Sequence, residues 1–304
     1  SAAPTTATGG AGTMMVGTGG AAGQTTAAAG SAAPSTTEPQ TCPAGGMAKA
    51  GNTTIKVMNA GVMRSYILHV PSGYKGDKPV PLVLVFHPLL FDAAFAESGS
   101  MYTALSDKEG FIVAYPDAQA DAAWNVGPCC TRSRDVDDKG FARTVVKDIQ
   151  AKLCIDAKRV YASGFSMGGG MTHYLGCEAA DVFAAIAPGA FDLLKENTCA
   201  PARPITVIAF RSMSDNIVPY EGAVKQSAPN GFMGMHTFLG AVGTDAKWAE
   251  LNGCTGEPVD EGGGCKTHKM CKDGVTVTLC TVGGGHTWPD AVKSWETISK
   301  FSLP

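Results

Sequence analysis

The sequence predicts an α/β fold, with a mostly parallel central sheet, helices on both of its faces and disulfides that brace it. Strand and helix patterns alternate from residue 42 onward, which is typical of a parallel sheet. Several strand segments are apolar throughout, as in VPLVLVFH at 80–87, and this is expected of strands buried on both faces. The ten cysteines all lie in the same part of the chain and indicate an oxidised, exported protein.

The N-terminal segment differs in composition from the rest. Residues 1–41 carry one charged side chain, Glu38, in a background of Ala, Gly, Thr, Ser and Pro. Such a segment buries too little apolar surface to offset its ordering entropy, so we expect a disordered tether followed by one domain over 42–304. Because the chain starts at Ser1, a removed signal peptide is expected, and the tether also suits a lipoprotein.

Charge and hydropathy argue against two classes of partner. The net charge of −3 provides no basic field for binding nucleic acid. No apolar stretch approaches the roughly 18–20 residues of a membrane-spanning helix. We therefore expect no nucleic-acid partner and no transmembrane span. The further expectations are a secreted or cell-surface location, a monomer and no cofactor.

The predicted elements follow from local patterns. A hairpin over 55–70 turns at Asn59-Ala60-Gly61, because strand-like segments flank a turn sequence. Apolar runs predict buried strands, and apolar residues at helical spacing predict helices. Strands are expected at 80–87, 111–115, 159–165, 183–188, 205–210 and 275–282. Helices are expected at 93–109, 140–153, 168–179, 244–253 and 290–301.

A candidate nucleophile lies in the motif Gly164-Phe165-Ser166-Met167-Gly168, which fits G-x-S-x-G. The match alone is weak evidence, because a glycine-rich turn with an incidental serine fits it equally well. Its context is more specific, since the strand RVYASGF leads into the motif and a helix pattern follows it. A strand–turn–helix junction exposes the serine oxygen, and the helix N-terminus offers N–H groups to a developing anion.

The candidate base is sought among six histidines, because a serine hydroxyl needs a base to take its proton. They are His69, His87, His173, His236, His268 and His286. His286 follows a strand in TVGGGHTWPD, so its loop reaches the same sheet edge as Ser166. His69 lies within a strand and His173 within a helix, where structural roles are favoured, and His236 is a candidate cleft residue.

Asp215 is the candidate for the acid that orients the histidine. It follows the strand 205–210 closely, which puts its carboxylate at the C-terminal edge of the sheet. Asp192, which lies past another strand, is the main rival. The order Ser166, Asp215, His286 is the chain order of an α/β-hydrolase and differs from the orders in chymotrypsin and subtilisin.

Two possible metal motifs are interpreted as structural. His268 lies between Cys265 and Cys271 at a spacing that zinc can use, but in an exported protein disulfide halves are favoured. A partial calcium loop is formed by Asp135, Asp137 and Asp138. It lacks a carboxylate at the closing position, so a solvated turn is favoured and no metal is expected.

Five segments occur in the same order in one esterase family, which the chain resembles. They are WNVGPCC (124–130), VDDKGF (136–141), CIDAKRVYASGFSMGGGMT (154–172), SDNIVPYEG (214–222) and GGGHTWPD (283–290). The family comprises feruloyl esterases, acetylxylan esterases and polyhydroxybutyrate-depolymerase-like enzymes. The resemblance covers nearly all of 42–304 and implies an α/β-hydrolase catalytic domain and a secreted serine esterase without a metal. It assigns the family's nucleophile, acid and base to Ser166, Asp215 and His286.

The resemblance also implies an oxyanion hole formed by the backbone amides of Met167 and Leu89. Met167 directly follows the nucleophile. Where the family commonly has His-Gly before the second donor, this chain has His87-Pro88, and proline has no N–H to donate. A second departure is Arg211-Ser212, where the family often has His-Gly before the acid.

The expected activity is hydrolysis of carboxylic esters through an acyl-enzyme, with feruloyl or acetyl esters of plant polysaccharide as substrates. A polyhydroxyalkanoate or other polyester depolymerase is the alternative within the fold, and an inactive surface-binding protein is the alternative of another class. Trp124 and Trp288 are candidate substrate-binding residues, with core packing as the other interpretation. Residues 229–238, PNGFMGMHTF, form a candidate mobile cover, with a core role equally open.

The cysteines predict a set of disulfides around the site. The plausible pairs are Cys177 with Cys199, Cys254 with Cys271 and Cys265 with Cys280. The remaining cysteines are Cys42, Cys129, Cys130 and Cys154, and we expect them to tie the start of the domain to the region before the nucleophile. Vicinal cysteines are expected to bond elsewhere rather than to each other, although connectivity does not follow from sequence alone.

Overall fold

In this computed structural model, the residues described are 42–43, 49–132, 134–225 and 235–304. The chain divides into two units, Ser1–Pro39 and Gln40–Pro304. The tether predicted for 1–41 lies outside the described residues. All elements described below belong to the second unit.

A ten-stranded sheet, counted over the described residues, is the centre of this unit. Its strands in chain order are β1 (Gly51–Asn59), β2 (Val62–Val70), β3 (Val80–Phe86), β4 (Ile112–Pro116), β5 (Ile155–Phe165), β6 (Ala185–Gly189), β7 (Thr206–Ser212), β10 (Val259–Gly262), β11 (Cys265–His268) and β12 (Val277–Val282). The spatial order is β1-β2-β4-β3-β5-β6-β7-β12-β11-β10. The strands from β4 to β12 pair in parallel, and antiparallel pairs extend the sheet at both edges.

Helices cover both faces of the sheet, as the sequence predicts. They are α1 (Ala93–Gly99), α2 (Tyr102–Glu109), α3 (Asp138–Lys152), α4 (Met167–Glu178), α5 (Ala241–Leu251) and α6 (Ala291–Ile298). Side chains of α3, α4 and α5 belong to one core layer, and those of α1, α2 and α6 belong to the other. Within the part of the chain that the structure describes, no helix has the length and apolar character needed to cross a membrane.

The two core layers explain why β3 is apolar at nearly every position. Leu82, Leu84 and Phe86 contribute to the layer of α3, α4 and α5. Val83 and Val85, which point to the other face, contribute to the layer of α1, α2 and α6. Alternate side chains of a strand face opposite sides of a sheet, so a strand covered on both faces must be apolar on both.

Two predicted features differ in detail from the structure. The hairpin turns at Ala60 and Gly61, both with positive φ (48° and 81°), which suits a tight hairpin turn, but its first strand starts at Gly51. The single helix expected over 93–109 is wrong, because α1 and α2 are separate helices. Met101 between them has a φ of 65°, a left-handed conformation that interrupts a continuous helix.

Four short strands have no counterpart in the sequence prediction. Two of them, β8 (Ala223–Lys225) and β9 (His236–Phe238), form a separate antiparallel pair. The other two, β10 and β11, extend the main sheet at its edge. All four strands have only three or four residues, and β10 is exposed at every position, so no apolar pattern marks it.

The disulfides follow the predicted pairing with one exception. The structure contains the three predicted pairs, Cys177–Cys199, Cys254–Cys271 and Cys265–Cys280. Cys42–Cys154 ties the start of the domain to the strand that leads to the nucleophile motif. The expectation that the vicinal cysteines bond elsewhere is wrong, because Cys129 pairs with Cys130. Because the other eight cysteines pair among themselves, each of these two buried sulfurs has no other cysteine with which to form a disulfide.

Candidate active site

The three predicted site residues lie just beyond the ends of three strands. Ser166 follows β5, Asp215 follows β7 and His286 follows β12. These strands belong to the parallel part of the sheet, and β7 pairs directly with β12. The carboxyl ends of parallel strands meet at one edge, where ligands bind in open α/β sheets. The fold therefore gathers at one edge residues that are up to 120 positions apart in the chain.

Ser166 occupies a sharp turn between β5 and α4. Its φ of 55° and ψ of −122° are unusual for a residue with a side chain, and its N–H donates to Gly189 O at 2.9 Å. A Cβ on Gly168 would lie 2.7 Å from the carbonyl oxygen of His87 and closer still to that of Phe86. A Cβ on Gly164 would in turn lie 2.9 Å from Thr172 Oγ1 and closer to the carbonyl of Gly168. Both motif glycines are thus required by close backbone packing, as a nucleophile elbow needs.

A continuous hydrogen-bond relay joins the three side chains. His286 Nε2 lies 2.8 Å from Ser166 Oγ, and His286 Nδ1 lies 2.8 Å from Asp215 Oδ2. The other carboxylate oxygen, Oδ1, accepts from the backbone amides of Ile217 and Val218, each at 2.9 Å. This arrangement allows His286 to take the Ser166 proton while Asp215 fixes the ring and faces the resulting imidazolium.

The carboxylate of Asp215 is buried but kept ionised. Burial alone would raise its pKa, because a charge loses its hydration there. The hydrogen bonds from His286, Val218 and Ile217 outweigh burial and hold the pKa of Asp215 below its ordinary value. A negative charge therefore lies next to His286 over the whole neutral pH range.

The predicted oxyanion donors lie at neighbouring positions of this edge. Met167 is the first residue of α4, and N–H groups in the first turn of a helix have no acceptor within the helix. Phe86 of β3 pairs in register with Gly164 of β5, so the segment after Phe86 runs beside the elbow. Leu89 lies in that segment. Its amide has no hydrogen-bond acceptor among the described residues, whereas the Leu90 amide donates to Ala122 O at 2.9 Å.

His87 and Trp124 hold the loop that carries Leu89. The Ala118 amide donates to His87 Nε2 at 3.0 Å, so Nδ1 carries the hydrogen and donates to Pro88 O at 2.8 Å. Burial lowers the pKa of His87, which favours this neutral form. Trp124 Nε1 donates to His87 O at 2.9 Å. Trp124 is fully buried, so the expectation that it forms a wall for substrate is wrong, and it supports the loop from inside the core.

Trp288 belongs to a row of aromatic rings that begins at the candidate base. The ring of Phe165 lies 4.8 Å from that of His286 and 5.1 Å from that of Trp288. Phe95 lies 6.2 Å from Trp288, and Phe91 lies 4.0 Å from Phe95. Phe91 is 45% exposed, so the row runs from the relay to solvent. Of these four rings, sequence patterns single out only Trp288 for substrate binding, because Phe165 and the pair Phe91 and Phe95 come from two other segments of the chain.

The candidate cover is described only in part. Residues 229–234 lie outside the described residues. The part that follows forms β9, in which His236 and Phe238 are buried, so this part contributes to the core. A ring nitrogen of His236 and the sulfurs of Cys129 and Cys130 lie within 4.8 Å of one another. These sulfurs are bonded to each other and so offer no thiolate to a metal.

The two metal motifs of the sequence have structural roles. Cys265 and Cys271 are in separate disulfides, and His268 Nε2 lies 3.1 Å from an oxygen of Asp245. Asp137 caps α3 through the Gly140 amide at 2.7 Å.

The aspartate next to this cap is buried rather than solvated. Asp138 pairs with Arg64 at 2.8 Å and accepts from the Asn125 amide at 2.6 Å, with no exposed side-chain surface. The expectation of a solvated turn is therefore wrong at Asp138. Its carboxylate holds Arg64 and the backbone near Trp124 instead.

Asp192, the rival acid, has a different partner from Asp215. It forms an ion pair with Arg211, and both side chains are buried. Within the described part of the chain it makes no hydrogen bond to His286. The geometry therefore selects Asp215 as the residue that faces the histidine.

Comparison with known proteins finds matches among esterases. The family described as "Esterase PHB depolymerase" matches residues 64–251. Feruloyl esterase B from Piromyces equi is 47% identical over 251 residues, which are 79% of this chain and 46% of that protein. The chain thus spans less than half of that relative's length. Putative esterase NocK from Nocardia uniformis subsp. tsuyamanensis is 32% identical over 80% of this chain and 76% of that protein.

The fold is also similar to that of solved esterases. The structure of an acetyl xylan esterase from Aspergillus awamori matches 81% of this chain and 99% of its own chain. The TM-score is 0.59 at 18% sequence identity. This likeness shows the fold and confirms the predicted α/β-hydrolase architecture.

Proposed function

The chain belongs to the family of esterases described as Esterase PHB depolymerase, and we propose that it hydrolyses carboxylic esters with Ser166 as nucleophile. The observation that carries this proposal is the relay from Ser166 Oγ through His286 to Asp215, with both hydrogen bonds at 2.8 Å. A hydroxyl gains nucleophilicity when a positioned base takes its proton in the attack. The relay supplies that base and the carboxylate that orients it.

The reaction has two steps. Ser166 Oγ attacks the ester carbonyl carbon while its proton passes to His286 Nε2. The oxygen of the tetrahedral intermediate accepts hydrogen bonds from the Met167 and Leu89 amides. The C–O bond then breaks, and His286 gives its proton to the leaving alcohol. In the second step water attacks the acyl-enzyme, His286 takes its proton and returns one to Ser166, and the acid is released.

Hydroxycinnamoyl esters of plant polysaccharide are the substrates that the site favours. The relative that is 47% identical over most of this chain is named Feruloyl esterase B. The aromatic row defined by Phe165, Trp288, Phe95 and Phe91 offers ring faces beside the nucleophile. A planar phenolic acyl group gains from offset or edge contacts with such rings. Acetyl esters fit the same relay but use none of these rings.

A polyester depolymerase is the second candidate function. The family description names such an activity, and large apolar side chains around the relay are exposed. They are Leu90, Met213 and Ile217, which are 67%, 72% and 61% exposed. Exposed apolar side chains in the loops that carry Leu89 and Asp215 suit contact with a hydrophobic polymer chain.

Extracellular action accords with the cysteine chemistry. The five disulfides of the second unit are stable in an oxidising compartment, which favours export. We further propose that 1–41 acts as a tether for the catalytic domain at 42–304. Lipidation of a residue before Ser1 stays a prediction. Mass spectrometry of the native N-terminus tests it, since a mature chain without an acyl group contradicts it.

Turnover of four ester substrates tests the function. We expect hydrolysis of methyl ferulate and p-nitrophenyl acetate, both abolished in Ser166→Ala while the folded structure is retained. A higher kcat/KM for methyl ferulate than for methyl acetate, which has the same leaving alcohol, supports the hydroxycinnamoyl preference. Clearing of a polyhydroxybutyrate film without turnover of methyl ferulate favours the depolymerase. No turnover of any ester by the wild-type chain favours the inactive binding protein.

A further inference from the structure

A buried arginine lies behind the candidate acid. Arg211 is near the end of β7 with its side chain 1% exposed, and it pairs with the fully buried Asp192, which follows β6. A buried guanidinium needs a counter-ion and hydrogen bonds to replace its hydration. Burial lowers the pKa of Arg211 to about 10, although Asp215 and Tyr220 favour its charged form. Arg211 is therefore protonated at neutral pH.

The guanidinium holds the turn that follows the acid. Its Nη2 atom donates to Val218 O at 2.7 Å and to Pro219 O at 3.3 Å. The same turn presents the amides of Ile217 and Val218 to Asp215 Oδ1, each at 2.9 Å. Val218 thus accepts from the arginine through its carbonyl and donates to the acid through its amide. No direct hydrogen bond joins Arg211 to Asp215 among the described residues, so the arginine acts through the turn.

We propose that Arg211, anchored by Asp192, is a positioning residue for Asp215. It fixes the turn at 215–219, so that Asp215 Oδ2 stays within hydrogen-bond distance of His286 Nδ1. This inference rests on the proposed esterase function. The ion pair thereby connects β6 and β7 to the relay, because Asp192 follows β6 and Arg211 lies in β7. We call the ion pair of Asp192 with Arg211 and the hydrogen bonds of Arg211 to the turn the clamp. Without the clamp the turn can move, and the Asp215 carboxylate can rotate away from His286.

A double variant tests the clamp without leaving an unpaired buried charge. Arg211→Met with Asp192→Asn removes both charges and keeps similar side-chain volumes. We expect a folded protein with unchanged KM for methyl ferulate and a kcat lowered by about 10²-fold, the typical cost of a catalytic group misplaced by about 1 Å. The low-field proton resonance of the His286–Asp215 hydrogen bond should broaden or disappear.

Arg211→Lys is the second variant and retains a charge opposite Asp192. An ammonium group lacks the planar fork that reaches both carbonyls and the carboxylate, so a smaller fall in kcat is expected. Wild-type kcat and an unchanged resonance in a folded Arg211→Lys protein contradict the clamp even where the double variant does not fold.

Arg203→Met is the matched control. Arg203 is another arginine that donates to backbone carbonyls, those of Ala180, Phe183, Ala184 and Pro204, but it lies before the opposite end of β7. We expect lower thermal stability with wild-type kcat per folded molecule and an unchanged resonance. The inference is overturned if the double variant keeps wild-type kcat, or if Arg203→Met loses kcat equally. Absence of any wild-type turnover contradicts the esterase proposal instead.

Discussion

Gly168→Ala is the substitution that tests how tightly the oxyanion donors are held. The added Cβ would lie 2.7 Å from His87 O and closer to Phe86 O, against an ordinary contact of 3.4 Å or more. Either the start of α4, which carries the Met167 amide, or the loop that carries Leu89 must move by at least about 0.7 Å. Oxyanion donors work in a window of about 2.7–3.1 Å, so this displacement takes one donor out of range.

The expected loss follows from the cost of one oxyanion donor, about 10²–10³ in kcat. Overpacking adds a destabilisation of about 1–3 kcal/mol. The assay is kcat/KM for p-nitrophenyl acetate together with a thermal melt, which separates the two effects. Gly243→Ala is the control, because this helical glycine of α5 has only Leu239 Cβ at 3.4 Å, and wild-type kcat is expected there. A folded Gly168→Ala protein with activity within twofold of wild type contradicts the placement of the Met167 and Leu89 amides as oxyanion donors.

The remaining predictions concern the loop, the acid and the aromatic row. Trp124→Phe removes the donor to His87 O. We expect the unfolding free energy to fall by about 1–3 kcal/mol, measured by denaturation, and kcat to fall as well, measured by ester turnover. Unchanged values of both contradict the role of Trp124 in supporting the loop. Asp215→Asn should lower kcat by about 10⁴-fold. The pKa of Asp215 is lower in the folded state than in the unfolded state, so the ionised carboxylate stabilises the fold at pH values above the unfolded-state pKa near 3.9. This contribution is lost as pH falls through the folded-state pKa. Thermal melts between about pH 5 and pH 2 should therefore show an acid-dependent drop that Asp215→Asn reduces; parallel curves contradict this. Phe91→Ala should raise KM for methyl ferulate and leave KM for p-nitrophenyl acetate unchanged. An equal change in KM for both substrates contradicts a role of the aromatic row in binding the acyl group.

The sequence predicts the parts of the molecule that local pattern determines. The apolar run of β3 and the similar runs of its neighbours are sufficient to predict a parallel sheet buried on both faces. Ser166, Asp215 and His286 each lie just past a predicted strand, and such positions converge at one sheet edge. The order of the three residues along the chain then narrows the fold class.

Features that depend on distant partners are not visible in local pattern. Asp192 and Asp215 both follow strands, and their roles differ through their partners, which are Arg211 for Asp192 and His286 for Asp215. Trp124 donates to a carbonyl 37 residues away, so its support of the loop that carries Leu89 has no sequence signal. The aromatic row likewise joins rings from segments that are far apart in the chain.

Covalent labelling of Ser166 tests the central claim most directly. A fluorophosphonate reacts with a serine oxygen only where a base activates it, and mass spectrometry of the labelled peptide identifies the residue. We predict stoichiometric labelling of Ser166 in the wild-type chain, none in Ser166→Ala, and strongly slowed labelling in a folded His286→Ala variant. A wild-type chain that stays unlabelled, or that is labelled on another serine, contradicts the relay of Ser166, His286 and Asp215 as the catalytic apparatus.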